Sequence, residues 1–398
     1  MPRAIAAATA SFLSAAAAAS AIAQGDAPPC GDDGPTQQAP VCRIADGIDG
    51  LAASRLLGEE TAYYALDGDV VTIALRAEGE PFVCCSIQPR LTEHAPGLFA
   101  DRFRLLNAAR ARLQFYDGET DTTLFGPHAR PSPEAMPLRG AVREESMESD
   151  ALGERRRYSV YTPSAFDATR RYPVVIFSDG WGLADKMTKI EPRFADGSIR
   201  PFVGIGVPSG ADAIVTDAPD AYGYDVRAAD YLPFMFEDGE PGAGRFAAHL
   251  SFVLDELLPH VLSELSLSDP PAVIVVGYSN GGAFAAEAAL RRQDVLTGAI
   301  AMSEAGRGGA GSRPVPDLIG DGPILLFSGG LYERAFGEKG RRSARVLGEA
   351  GYRTRYCEYA GGHDSLQWDL ALADGLASLL SAQNDEDALA ACPRPLGD

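Results

Sequence analysis

The stretch VIVVGYSNGGAFAAEAAL, residues 273–290, sets a serine among glycines where a β-branched run gives way to an alanine-rich one. Gly277-Tyr278-Ser279-Asn280-Gly281 has the G-x-S-x-G form, which between a strand and a helix lifts a hydroxyl above the sheet end. Such a turn strains the serine backbone, and side chains beside it would strike the adjoining strand and helix, so glycines stand there. The helix N-terminus just after it favours negative charge developing near the serine. The chemistry implied is nucleophilic attack on a carbonyl.

A serine hydroxyl is a poor nucleophile until a base takes its proton, so a histidine is required. The chain has five: His94, His128, His249, His260 and His363. The first two fall in β-rich or linker sequence, and His249 and His260 lie in a helical stretch before the serine. His363 stands in Ala360-Gly361-Gly362-His363-Asp364, directly after the last strand-like run. Its glycines let a short loop project the imidazole across the sheet edge, and the order serine, acid, histidine asks for a late histidine. The acid should come from a strand end between the two. Glu333, after PILLFSGG, is the choice; Glu304, after AIAMS, is the rival; Asp364 adjoins the histidine too closely to reach its Nδ1. Two backbone N–H groups must receive the oxyanion. One is that of Asn280; the other is that of Gly180 or Trp181, in the SDGWG loop after residues 174–177.

These residues need a scaffold. Continuous apolar runs such as YPVVIF, FVGIGV, VIVVG and ILLF suit strands buried on both faces of a parallel sheet. Helical stretches lie between them: FAAHLSFVLDELLPHVLSEL, GGAFAAEAALRRQ and EKGRRSARVLGEAG. In the first, Phe252, Leu254, Leu257, Leu258 and Val261 share one apolar face. Strand–helix alternation over residues 141–385 therefore predicts an α/β domain, a mostly parallel sheet flanked by helices. Before it, residues 51–124 read as short antiparallel strands, a small N-terminal β-sandwich (Ig-like). A Pro-rich linker over 125–140 joins the two. Residues 24–50 read as a loose leader, and 386–398 as a C-terminal tail.

With 398 residues, 46% of them hydrophobic, the chain can bury two cores. Its 35 basic against 55 acidic residues give a net charge of −20, which argues against nucleic acid and against an anionic membrane surface. Residues 1–23 read as a signal peptide, with Ala21-Ile22-Ala23 as cleavage site, so a periplasmic or secreted protein is expected. No other stretch suits a membrane span. Export permits disulfides among the six cysteines, and Cys30 with Cys42 is the first expected bridge. Vicinal Cys84-Cys85 in a strand would point to opposite faces. No Cys-x-x-Cys pair stands near histidines, so no metal is expected.

Taken together, the sequence resembles the esterase D-type α/β-hydrolases, and more narrowly the enterochelin (ferric enterobactin) esterase group. The residues that carry this are LRGAVREESMESDALGERRRYSVYTPSAF, FSDGWG, VRAADYLP with HLSFVLDELLPHV, GYSNGG, GGLYE and YAGGHDSLQW, in that order. Trp368 matches a tryptophan that follows the histidine in the family. The departures are Asp230, where the family has glutamate, and a tryptophan that directly follows the loop glycine. The resemblance implies an α/β-hydrolase fold, Ser279 as nucleophile, His363 as base, Glu333 as acid, and no cofactor. It also implies that Arg227 lies near the site, binding an acidic or catecholate group or holding the loop. The partner implied is a small-molecule ester, a siderophore trilactone; alternatives are a feruloyl or other aromatic acyl ester, or acyl transfer to another acceptor. A reading of another class is a non-catalytic binding protein on a hydrolase scaffold.

Overall fold

The computed structural model describes residues 27–45, 47–79, 81, 83–87, 89–116, 121–210, 224–233, 244–306 and 309–381. The expected signal peptide, 1–23, and the tail, 386–398, lie outside the described residues, as does the Cys84 side chain.

Among the described residues, eight strands occupy the first third: β1 (Val41–Arg43), β2 (Ala62–Asp67), β3 (Val70–Arg76), β4 (Cys84–Cys85), β5 (Thr92–Ala95), β6 (Leu98–Leu105), β7 (Arg112–Tyr116) and β8 (Asp121–Phe125). Five make one antiparallel sheet in the order β1-β6-β3-β2 with β5 on β6; three make another, β4-β7-β8. Inward-facing Val71, Ile73, Leu75 and Phe103 of the larger sheet share one core with Leu113 and Phe115 of the smaller. Helix α1 (Gly50–Leu57) is capped by Asp49, whose side chain accepts from Ala52 N–H. The segment read as a loose leader is more ordered than its Pro, Gly and Asp content suggests. β1 pairs with β6, and the Cys30–Cys42 disulfide ties its approach. Pairing with a distant strand supplies what local propensity does not.

The Pro-rich segment is strapped to the α/β part of the chain. Arg130 makes two hydrogen bonds to the Asp374 carboxylate, at 2.7 and 2.9 Å. The N–H groups of Arg139 and Gly140 both donate to Glu191, each at 2.6 Å.

That second part is an eight-stranded mixed sheet built from β9 (Ala141–Ser149), β10 (Glu154–Thr162), β11 (Val174–Ser178), β12 (Val203–Val207), β13 (Val273–Tyr278), β14 (Gly298–Met302), β15 (Ile324–Gly330) and β16 (Arg353–Tyr359). Its order is β16-β15-β14-β13-β11-β12-β10-β9. β12 through β16 and β11 run parallel, while β10 is antiparallel to both β12 and β9. Alternate residues serve two cores: Val273 and Val275 face one layer, Ile274 and Val276 the other. Covering helices include α2 (Leu183–Ile190), α3 (Tyr224–Tyr231), α4 (Arg245–Ser251), α5 (Leu258–Glu264), α6 (Asn280–Arg291), α7 (Arg334–Glu349) and α8 (Ser365–Leu380). Between α4 and α5 the chain makes a π-helical turn, Phe252–Leu257, which brings Val253 into the core beside Phe252 and Leu254. Among the described residues no helix is long and apolar enough to cross a membrane.

Candidate active site

At the carboxyl end of β13 the chain turns sharply into α6. Ser279 occupies that corner with φ 54° and ψ −120°, a conformation costly for a residue with a Cβ. A Cβ on Gly277 would lie 2.3 Å from the Gly281 carbonyl oxygen, and one on Gly282 would lie 2.6 Å from that of Met302. The glycines are therefore steric requirements of the corner. The alanines beyond them answer to packing: α6 is buried from Asn280 through Leu290.

Beyond β14, the ends of β15 and β16 bring two polar side chains together. After β15, Glu333 sits with Oε2 2.6 Å from Nδ1 of His363, which follows β16. The other oxygen, Oε1, accepts from Ser303 Oγ at 2.6 Å and from Gly330 N–H at 2.5 Å. His363 Nε2 is buried and has no hydrogen-bond partner among the described residues. The imidazole stacks on Phe336 at 4.1 Å and meets Trp368 edge-on at 4.9 Å. Trp368 in turn stacks on Tyr278, the neighbour of Ser279, at 4.3 Å. A ring ladder thus connects the histidine loop to the serine corner. Glu304 takes no part in it: its carboxylate accepts from Ala310 N–H and Ser343 Oγ, at 2.5 and 2.8 Å. Burial pushes that carboxyl up to about 7.

Of the three N–H groups expected for an oxyanion, the structure distinguishes Gly180 from the others. Gly180 N–H donates to Val207 O at 3.2 Å, and a Cβ there would lie 2.2 Å from the β12 backbone. That N–H is a structural bond of the loop, which removes Gly180 from the expected pair. Those of Asn280 and Trp181 have no acceptor among the described residues. Trp181 is partly exposed, with the Arg157 guanidinium over its ring.

Arg227 reaches the same loop from α3. Its Nε and Nη2 donate to the two carboxylate oxygens of Asp179 at 2.8 and 2.6 Å. Of the two roles expected for Arg227, this geometry fits holding the loop. The bidentate pair uses two of the five guanidinium N–H donors and leaves those of Nη1 and one of Nη2. Asp179 itself adopts φ 52°, and the ion pair offsets that strain. Asp230 is fully buried and accepts from Arg156, Arg245 and Gly210 N–H.

Sequence reasoning missed Ser303. It is buried, has φ 50°, donates to Glu333 and accepts from Trp368 Nε1–H at 2.8 Å. Its signal was its place at the carboxyl end of β14, where parallel sheets collect site residues. A cluster with metal-ligand spacing, Glu145, His260 and Glu264, occurs elsewhere. Arg143 pairs with both carboxylates, at 2.7 and 2.6 Å, and offsets one of their two negative charges.

Residues 149–307 match the putative esterase family. The iron(III) enterobactin esterase of Dickeya dadantii (strain 3937) is 24% identical over 274 residues, 60% of this chain and 55% of that relative. The chain thus spans about half the length of the curated relative it matches. The enterobactin esterase FES from Shigella flexneri, solved in the presence of enterobactin, aligns with a TM-score of 0.57 at 17% identity, covering 80% of this chain and 95% of that one. Ferric enterobactin esterase from Salmonella typhimurium gives 0.55 at 16% identity, with 80% and 95% covered. The mixed sheet and its helices are accordingly an α/β-hydrolase-like fold, and the chain is similar to enterochelin esterases.

Proposed function

We propose that this protein is an exported serine esterase. Ser279 Oγ attacks the carbonyl of a carboxylic ester while His363 Nε2 takes its proton. Glu333, on the opposite ring nitrogen, fixes the tautomer and stabilises the imidazolium. The N–H groups of Asn280 and Trp181 receive the oxyanion. The imidazolium then protonates the leaving alcohol, and an acyl-enzyme remains on Ser279. Water, activated by the same histidine, releases the acid. Nucleophile, base and oxyanion donors all come from the chain. The observation that carries this reading is the 2.6 Å Glu333–His363 bond with Nε2 left unpartnered among the described residues, in a loop joined through Trp368 ring contacts to a strained serine corner. The names of the relatives support a siderophore trilactone as substrate class.

A fluorophosphonate probe tests the chemistry. The wild-type protein should be labelled at one serine, and Ser279→Ala should lose labelling and at least about 10³-fold in p-nitrophenyl acetate turnover while staying folded. Full activity in that variant would remove Ser279 as nucleophile. Product analysis with enterobactin and with feruloyl esters tests the substrate class.

A further inference from the structure

We propose that Ser86, in the N-terminal β-module, is a positioning residue for His363, so that the module completes the catalytic loop. The proposal rests on the reading of His363 as base.

The loop from Ala360 to Ser365 is held from the N-terminal side by direct hydrogen bonds. His363 N–H donates to Cys85 O at 3.2 Å, and Arg112 N–H donates to Ala360 O at 2.8 Å. Ser365 Oγ donates to Gln114 Oε1 at 3.0 Å, and Arg112 Nη2 donates to Leu366 O at 3.3 Å. A Cβ on Gly362 would lie 1.9 Å from Ser86 O, so the two backbones are in full contact. The acid loop is anchored in the same way. Leu331, Tyr332 and Ala360 belong to the core of the N-terminal module, and Tyr332 Oη donates to Leu106 O at 3.0 Å.

Ser86 stands at the centre. Its Oγ accepts from Gln114 N–H at 2.6 Å and lies within hydrogen-bond distance of Asp364. The ionised Asp364 carboxylate can only accept, so the Ser86 hydroxyl donates its proton to it while accepting from Gln114 N–H. The carboxylate also caps α8, accepting from Gln367 N–H at 3.1 Å. Asp364 is buried, and burial pushes its carboxyl up to about 6, against the Ser86 bond. Losing the hydroxyl therefore leaves a buried carboxylate one residue from the base without one of its two donors. Cys85, whose carbonyl holds His363 N–H, is itself disulfide-bonded.

The test uses the full-length oxidised protein, with turnover normalised to the sites titrated by a fluorophosphonate probe. Ser86→Ala should lower kcat about tenfold or more with KM for p-nitrophenyl acetate within about twofold, as expected for a displaced base. Ser86→Thr, which restores the hydroxyl, should recover most of that kcat. Arg104→Ala, in an exposed pair with Asp69, should match wild type. Should Ser86→Ala destabilise too far, Asp364→Asn offers the same split. Wild-type kcat per titrated site in both variants overturns the proposal, as does a loss that Thr does not recover in folded protein. A wild-type protein that neither labels nor turns over would instead sink the esterase reading.

Discussion

Glu333 bridges His363 and Ser303, one carboxylate oxygen on each, at 2.6 Å in both contacts. The serine bond fixes the carboxylate plane, and that plane fixes which imidazole nitrogen points away. Glu333→Gln keeps the shape but puts an amide where the charge was. It should lower kcat by about 10²–10⁴-fold with a small change in KM, since the imidazolium loses its electrostatic support. Steady-state kinetics on p-nitrophenyl acetate decide it; a variant within threefold or so of wild type would pass the acid role elsewhere.

Trp368 acts on the same carboxylate through one intermediate. Its Nε1–H donates to Ser303 Oγ, while its ring packs on Tyr278 and His363. Trp368→Phe removes the donor and keeps most of the packing. The expected loss in kcat is about threefold to tenfold, the worth of one buried hydrogen bond. Trp368→Ala should cost more, because it also breaks the ring ladder.

The Arg227–Asp179 pair is buried near the loop that carries Trp181. Arg227→Met leaves the Asp179 carboxylate without its cation, a loss of about 3–5 kcal/mol in stability. Asp179→Asn with Arg227→Met should cost less than the sum of the single variants, since the two groups are in contact. Thermal unfolding of the four proteins measures this, and strictly additive losses would refute the coupling.

Glu304 predicts a pH dependence. Burial raises its carboxyl from 4.5 to about 7, so the folded state holds the proton more tightly than the unfolded one. Its favourable contribution is full below about pH 4.5 and is lost as pH rises through about 7. Glu304→Gln keeps an oxygen for Ala310 N–H and removes the charge. By thermal unfolding, the variant should exceed wild type by on the order of 1–3 kcal/mol at about pH 8, with the gap closing near pH 5. A gap that ignores pH would mean that Glu304 stays ionised throughout.

The strands and the serine corner were legible because their signals are local. β-branched runs, a glycine-framed serine and an alanine-rich helix each reflect the steric demands of one short segment. The expected disulfide Cys30–Cys42 was readable for the same reason: it closes a short loop. The leader was misjudged because β1 draws its order from β6, some 60 residues away.

The sequence by itself therefore determined the elements and the chain order of serine, acid and histidine. Tertiary structure alone set Glu333 rather than Glu304 against His363, tied up the Gly180 N–H, closed Arg227 on Asp179, and placed Ser86 against the histidine loop. The division has a physical cause. Propensity and periodicity act over a few residues, whereas a hydrogen bond between side chains 278 positions apart exists only once a sheet and a second core have brought them together.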